Sequence, residues 1–239
     1  MSTDSQSSPE PSRKSIWSQA RSLIYDNSIV NFTSRWYQSV LELIPENSHI
    51  LDVGIGTGAA LINSSSILRA RNITVVGVDY DEAYVQTCRE NIASAGVSNM
   101  VSVVQADIRD FSPPDERLYD HIYFSGSFMI IPDQVNVLKK VVDLLVDRQD
   151  GRIYFTQTFE LQKNSLLEWL KPRLSMITTI DFGQVSYQQD FEDAIAAAGV
   201  AVESSEVIDD GKTKPNVRES RLICCRSKLY VESVAETAT

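Results

Sequence analysis

The chain has 239 residues, 43% of them apolar, and a formal charge of −10, which suits one large α/β domain with a real core and gives no reason for a second. Its 32 carboxylates outnumber 22 Lys and Arg, and no basic stripe offsets them, so a nucleic-acid substrate is disfavoured. No apolar run approaches the roughly 20 residues of a membrane span and no secretory segment opens the chain, so no membrane partner and a cytoplasmic location are expected.

Residues 1–12 are rich in Ser, Pro and Gln without apolar periodicity, which predicts a disordered tail. Residues 13–47 carry two helical patterns: Ile16, Ala20, Leu23 and Ile24, then Phe32, Trp36, Val40 and Leu43, the second stopped by Pro45. Residues 48–230 then alternate strand and helix, the pattern of a sheet wound mostly in parallel. Strands are predicted at His49–Val53, Thr74–Asp79, Val101–Gln105, Asp120–Phe124 and Arg152–Gln157. Helices are predicted between and after them at Gly58–Arg69, Glu82–Ala95, Gln134–Leu145 and Leu161–Leu170. Gln189–Ala198 reads as a helix closed by Gly199, and Ala201–Ile208 and Arg221–Arg226 as a hairpin-like pair of strands at the sheet edge. Residues 231–239 are expected to be loose. Cys88, Cys224 and Cys225 have no zinc or redox spacing and are expected to be reduced thiols in or near the core.

The most telling segment is Ile50-Leu51-Asp52-Val53-Gly54-Ile55-Gly56-Thr57-Gly58, where a buried strand breaks into alternate glycines and resumes as a helix. Glycine lets backbone reach positive φ and approach a ligand closely. In a doubly wound sheet such a turn marks the ligand crevice where strand order reverses. Asp79 ends the second strand about 25 residues past Gly54, where an acid can accept from both ribose hydroxyls. These features alone also satisfy the loose dinucleotide pattern. Three further features break the tie, the first being Asp52, whose carboxylate suits a ligand cation or ammonium and would repel a pyrophosphate. The third strand ends in Val104-Gln105-Ala106-Asp107-Ile108, another carboxylate at the same rim, and the fourth leads into Phe124-Ser125-Gly126-Ser127.

With these residues the chain resembles the class I S-adenosylmethionine-dependent methyltransferases over about Ser48 to Arg226. The resemblance implies a three-layer Rossmann-like α/β sandwich whose seven-stranded, mostly parallel sheet ends in an antiparallel strand. It implies S-adenosyl-L-methionine as cofactor, with Asp52, Gly54, Gly56 and Gly58 around the methionyl end and Asp79 on the ribose. By the same token Tyr80 would lie against the adenosine, Asp107 and Ile108 would hold adenine, and Ser125 would close the site from the fourth strand. Helix N-capping is the alternative reading of Asp79 and Asp107 and suits Asp81 in particular, and Asp120 is assigned to structure.

Methyl transfer from a sulfonium needs alignment and exclusion of water more than proton transfer. His49 begins strand one, at the wrong end, and His121 lies within strand four as a core residue, so no catalytic base is assigned. A small-molecule acceptor is expected above the same rim, near Ser127, Phe128, Gln157 and Tyr187, with Phe128, Phe159 and Tyr187 as an apolar wall. Tyr25, Trp36 and Tyr37 on the N-terminal helices are candidates for a lid over that pocket, although ordinary packing explains Trp36 at least as well. Asp181-Phe182-Gly183 spells a kinase triplet without its companion motifs and is set aside, and no acid cluster suggests a metal. Two alternatives stand beside a methyltransferase: a non-catalytic, cofactor-binding partner subunit of the same fold, and an NAD(P)-dependent oxidoreductase. The latter lacks a Tyr-x-x-x-Lys pair. Oligomeric state and the atom methylated stay open.

Overall fold

The computed structural model describes residues 30–161, 187–208 and 218–227. Helix α1 spans residues 30–43 of the described chain and stops before Pro45. The remaining elements are β1 His49–Val53, α2 Ala59–Ile62, α3 Ser65–Arg71, β2 Thr74–Asp79, α4 Glu82–Ser94, β3 Val101–Gln105, β4 His121–Ser125, α5 Gln134–Asp143, β5 Arg152–Glu160, α6 Gln188–Ala197, β6 Val200–Val207 and β7 Arg218–Ser227. The expected tails, first N-terminal helix and Leu161–Leu170 helix lie wholly or almost wholly outside the described residues.

One seven-stranded sheet runs in the order β3-β2-β1-β4-β5-β7-β6. Strands β1 to β5 pair in parallel, and β7 runs antiparallel to both β5 and β6. The sheet expected from the sequence is therefore the one present. Strand order reverses between β1 and β4, which puts the glycine turn after β1 at the switch point.

The central strands alternate their side chains between two apolar layers. On one side Leu51, Val53, Ile122, Phe124, Ile153 and Phe155 meet α5 through Val137, Leu138 and Val141, and α6 through Phe191 and Ile195. On the other side Ile50, Val75, Val101, Tyr123 and Tyr154 meet Tyr37, Val40 and Leu41 of α1, Leu68 of α3, and Cys88 and Ile92 of α4. The result is a three-layer sandwich.

Three elements depart from the sequence reading. The single helix expected at Gly58–Arg69 is two short ones, parted at Asn63 and Ser64. Three consecutive serines propagate a helix poorly, and Asn63 turns its amide onto Ser34 Oγ at 3.0 Å instead. Strands β5 and β7 are longer than expected. Residues 157–160 pair with 218–221 beyond the last β4 pairing, Ser125 with Thr156, as a ribbon rising past the rim.

Candidate active site

The turn after β1 is fixed by its backbone. Gly54 and Ile55 donate to Val78 O at 2.8 and 3.3 Å, which ties the turn to the end of β2. Gly54, Gly56 and Gly58 have φ of 76°, 59° and 68°. Space divides their roles. A Cβ on Gly54 would stand 2.6 Å from Ser127 Cβ, and one on Gly58 would stand 2.6 Å from Cys88 Sγ. A Cβ on Gly56 would meet nothing within 4 Å. The outer glycines are thus packed against protein and the middle one faces open space. Gly77 supports the turn from β2, because Ile55 lies where its side chain would be, 2.4 Å from the Cβ position.

Asp79, 8% exposed, accepts from Gly56 N at 2.9 Å through Oδ2 and from Asp81 N at 3.0 Å through Oδ1. The acid therefore pins the glycine turn to the start of α4. A carboxylate has about four lone-pair sites, so two remain for hydroxyl donors. Asp81 caps α4, accepting from Ala83 N and Tyr84 N at 2.8 and 3.1 Å. Tyr80 between them stands open to solvent.

Asp52 is wholly buried rather than open at the rim. Its Oδ2 accepts from the Tyr37 phenol at 2.7 Å, while Oδ1 is buried without a partner among the described residues. Burial, opposed by that hydrogen bond and reinforced by nearby Asp79, pushes its pKa up to about 7. The Tyr37 phenol is itself pushed far up, first by burial and then by Asp52, and so stays a donor. Tyr37 packs edge-on against Tyr123, 5.0 Å between centroids, and Tyr123 OH shares a 2.8 Å hydrogen bond with Thr156 Oγ1. Sequence reasoning offered Tyr37 as a lid candidate and missed its bond to Asp52, which only the fold brings within reach.

Further along the rim, Asp107 is gripped by Arg109, whose Nε lies 3.0 and 3.1 Å from the two carboxylate oxygens. That hydrogen bond holds its carboxyl below the usual range. Ile108 is buried in the core, so it offers backbone rather than an exposed side chain. Ser125 ends β4 half-buried, in register with Thr156.

The acceptor-side expectations need correction. Ser127 is 5% exposed and donates to Val53 O at 2.5 Å, so its hydroxyl fastens the β4 loop to β1. Phe128 is 1% exposed, within 5.6 Å of the ring centroids of Phe124, Phe155 and Phe191, and Phe159 packs on Phe191 at 5.5 Å. These rings form core, not a pocket wall, because β5 and α6 converge on them. Gln157 is buried and Tyr187 half-buried just before α6. Tyr25 and Asp181-Phe182-Gly183 lie outside the described residues. Trp36 is buried, 4.5 Å from Phe32 between ring centroids and close to Gly126.

Neither histidine is poised as a base. His49 Nδ1 bonds Thr74 Oγ1 at 2.8 Å and its ring stacks on Tyr119; His121 Nδ1 accepts from Arg152 N at 3.1 Å. Burial lowers the pKa of both. Asp120 accepts from His49 N at 2.6 Å, a structural bond. The three cysteines are free and buried. Among the described residues no three His, Cys, Asp or Glu side chains cluster as metal ligands, and no helix is long and apolar enough to cross a membrane.

The fit to a nucleoside cofactor with a cationic arm rests on two observations. Gly56 leaves open space at the switch point, and an unpartnered buried carboxylate oxygen belongs to the residue two before the turn. Helix α2 is a single turn, so little dipole is available for a diphosphate.

A sheet of this order, with a glycine turn at its switch point and acids ending β2 and following β3, is a Rossmann-like α/β fold. Residues 50–148 match the family model described as a methyltransferase domain. The chain is similar to the carboxy-S-adenosyl-L-methionine synthases of Shewanella sediminis, 26% identical over 55% of this chain and 65% of that one, and of Shewanella piezotolerans, 30% identical over 41% and 40%. The matches thus span less than two thirds of these relatives' length. Among solved structures, geranyl diphosphate C-methyltransferase from Streptomyces coelicolor, bound to S-adenosyl-L-homocysteine, superposes with a TM-score of 0.61 at 12% identity, covering 81% of this chain and 77% of that one. The cyclase SpnF superposes with 0.63 at 14%, covering 81% of each. Such likeness describes the fold.

Proposed function

We propose that this protein is an S-adenosyl-L-methionine-dependent methyltransferase that moves a methyl group to a small-molecule acceptor by in-line displacement. The observation that carries the reading is the glycine turn at the switch point, with Gly56 facing open space and Asp52 and Asp79 tied beside it. In this reading Asp52, Gly54, Gly56 and Gly58 serve the methionyl end, and Asp79 accepts from the ribose hydroxyls beside Tyr80. Asp107 receives the adenine amine while Arg109 holds its plane, the Ile108 backbone lies alongside, and Ser125 closes the β4 side.

The bound cofactor supplies an electrophilic methyl and its own leaving group. The chain's task is to orient the acceptor and keep water out. Among the described residues, bound histidines and buried phenols argue against a side-chain base, which favours an acceptor that is already nucleophilic or weakly acidic. The ribbon formed by residues 157–160 and 218–221 supports an acceptor wall: Thr158 Oγ1 and Ser220 Oγ lie 2.9 Å apart on it, and Arg218 pairs with Glu160 at 2.6 Å. Gln157 at its base and Tyr187 before α6 complete the proposed pocket. The acidic surface favours a small acceptor over nucleic acid, and the free buried thiols favour the cytoplasm.

The test is calorimetry with S-adenosyl-L-methionine, S-adenosyl-L-homocysteine and NAD, followed by turnover of methyl-labelled cofactor over an acceptor library. Binding of the first two without NAD, and label in an acceptor, is expected. Cofactor binding without any turnover would favour the partner-subunit alternative. Mass analysis of the cofactor in the same reactions separates methyl transfer from carboxylation of the kind named for the relatives.

A further inference from the structure

A fully buried carboxylate with one oxygen unpartnered is costly unless it is protonated or meets a cation. Asp52 is in that position. The titratable groups facing it come from each element packed around it: Tyr37 on α1, Asp79 on β2, Tyr123 on β4 and Cys88 on α4. None of these is a cation. Among the described residues only Tyr37 is hydrogen-bonded to the carboxylate, at 2.7 Å, and Tyr37 belongs to a helix outside the alternating sheet domain.

We infer that Tyr37 is a positioning residue for the cofactor: it fixes Asp52 at the glycine turn by one oxygen and leaves the other for charge balance by a cationic ligand, so that docking of α1 and binding of the cofactor reinforce each other. This deepens the methyltransferase reading and rests on it. The cofactor carries a sulfonium and an ammonium, and a positive charge near a low-dielectric site strongly favours the ionised carboxylate. Binding then expels the Asp52 proton to solvent. The phenol donates to the ionised form best, so it lowers the pH at which that ionisation occurs. Cys88 and Tyr123 stay protonated throughout, since burial raises both.

The experiment is calorimetric titration of the full chain with S-adenosyl-L-homocysteine and S-adenosyl-L-methionine between pH 5.5 and 8.5, in buffers of different ionisation enthalpy. The wild type is expected to release close to one proton per ligand near pH 6 and few at pH 8.5, with affinity rising through that range. Tyr37→Phe keeps the ring against Tyr123 but removes the bond. Its affinity should fall about tenfold near pH 6 and recover at high pH, the midpoint moving up by roughly one unit. Tyr123→Phe, which disturbs the same cluster but removes no hydrogen bond to Asp52, should keep the wild-type midpoint. A Tyr37→Phe loss that is uniform with pH would reduce Tyr37 to packing and overturn the inference while leaving the methyltransferase reading intact. Absence of proton release by the wild type overturns it whether or not that variant folds. Failure of the wild type to bind either ligand removes both.

Discussion

Replacing Asp52 with asparagine should make the free protein's stability less dependent on pH, with a sign opposite to that of an ordinary salt-bridged carboxylate. The folded-state pKa is raised to about 7 from an ordinary 3.8, so the native state holds a proton that the unfolded chain has released. Stability therefore falls as pH rises, starting near the unfolded pKa and levelling off above the folded one. At 1.36 kcal/mol per unit the whole shift corresponds to about 4 kcal/mol, of which about 3 kcal/mol is lost between pH 5 and pH 8. The asparagine side chain cannot ionise, and its unsatisfied amide adds only a pH-independent cost of about 1–3 kcal/mol. Urea unfolding of both proteins across that range, with m-values compared, measures the difference. The wild type should lose about 3 kcal/mol relative to Asp52→Asn between the two ends. Parallel curves would refute the reasoning, and a wild type that gains stability with pH relative to the variant would reverse it.

Three further outcomes are expected. Asp79→Ala should weaken S-adenosyl-L-homocysteine binding by about 1–3 kcal/mol through loss of a charged acceptor, measured by calorimetry; unchanged affinity in a folded variant would remove the ribose assignment. Gly54→Ala should destabilise by about 2–5 kcal/mol, combining left-handed strain with a clash on Ser127, whereas Gly56→Ala should cost only about 1–2 kcal/mol of backbone strain yet lose cofactor binding. Denaturation and calorimetry on both variants separate the effects, and equal stabilities would contradict the packing described. Burial pushes the Cys88 thiol up to about 12 and Cys224 to about 11, so iodoacetamide at pH 8 should leave both unmodified in the native protein and alkylate them once it is unfolded, as mass spectrometry would detect.

Local pattern made much of this fold legible. Alternation and helical spacing are properties of a few adjacent residues, and they located the strands to within a few residues, the Pro45 stop and the Gly199 cap. Alternate glycines after an apolar strand announce a ligand turn for the same reason, because positive φ is a demand on single residues. The order of Asp52, Asp79 and Asp107 along the chain then narrowed the cofactor. What the sequence did not reveal depends on segments that meet only in the folded chain. Its place among the N-terminal aromatics made Tyr37 a lid candidate but gave no view of Asp52. Ser127 and Phe128 looked like pocket residues because they follow β4, yet their side chains fill space that Val53, Gly54 and Phe191 leave for them. The break at Asn63 likewise required Ser34 to arrive from α1. The sequence by itself determined which elements form and where the glycine turn and its acids stand, since local conformational preference governs both. Only the tertiary structure decided which of those acids is buried, which glycine faces open space and which hydroxyl holds the carboxylate, because burial and hydrogen bonding arise from contacts between distant parts of the chain.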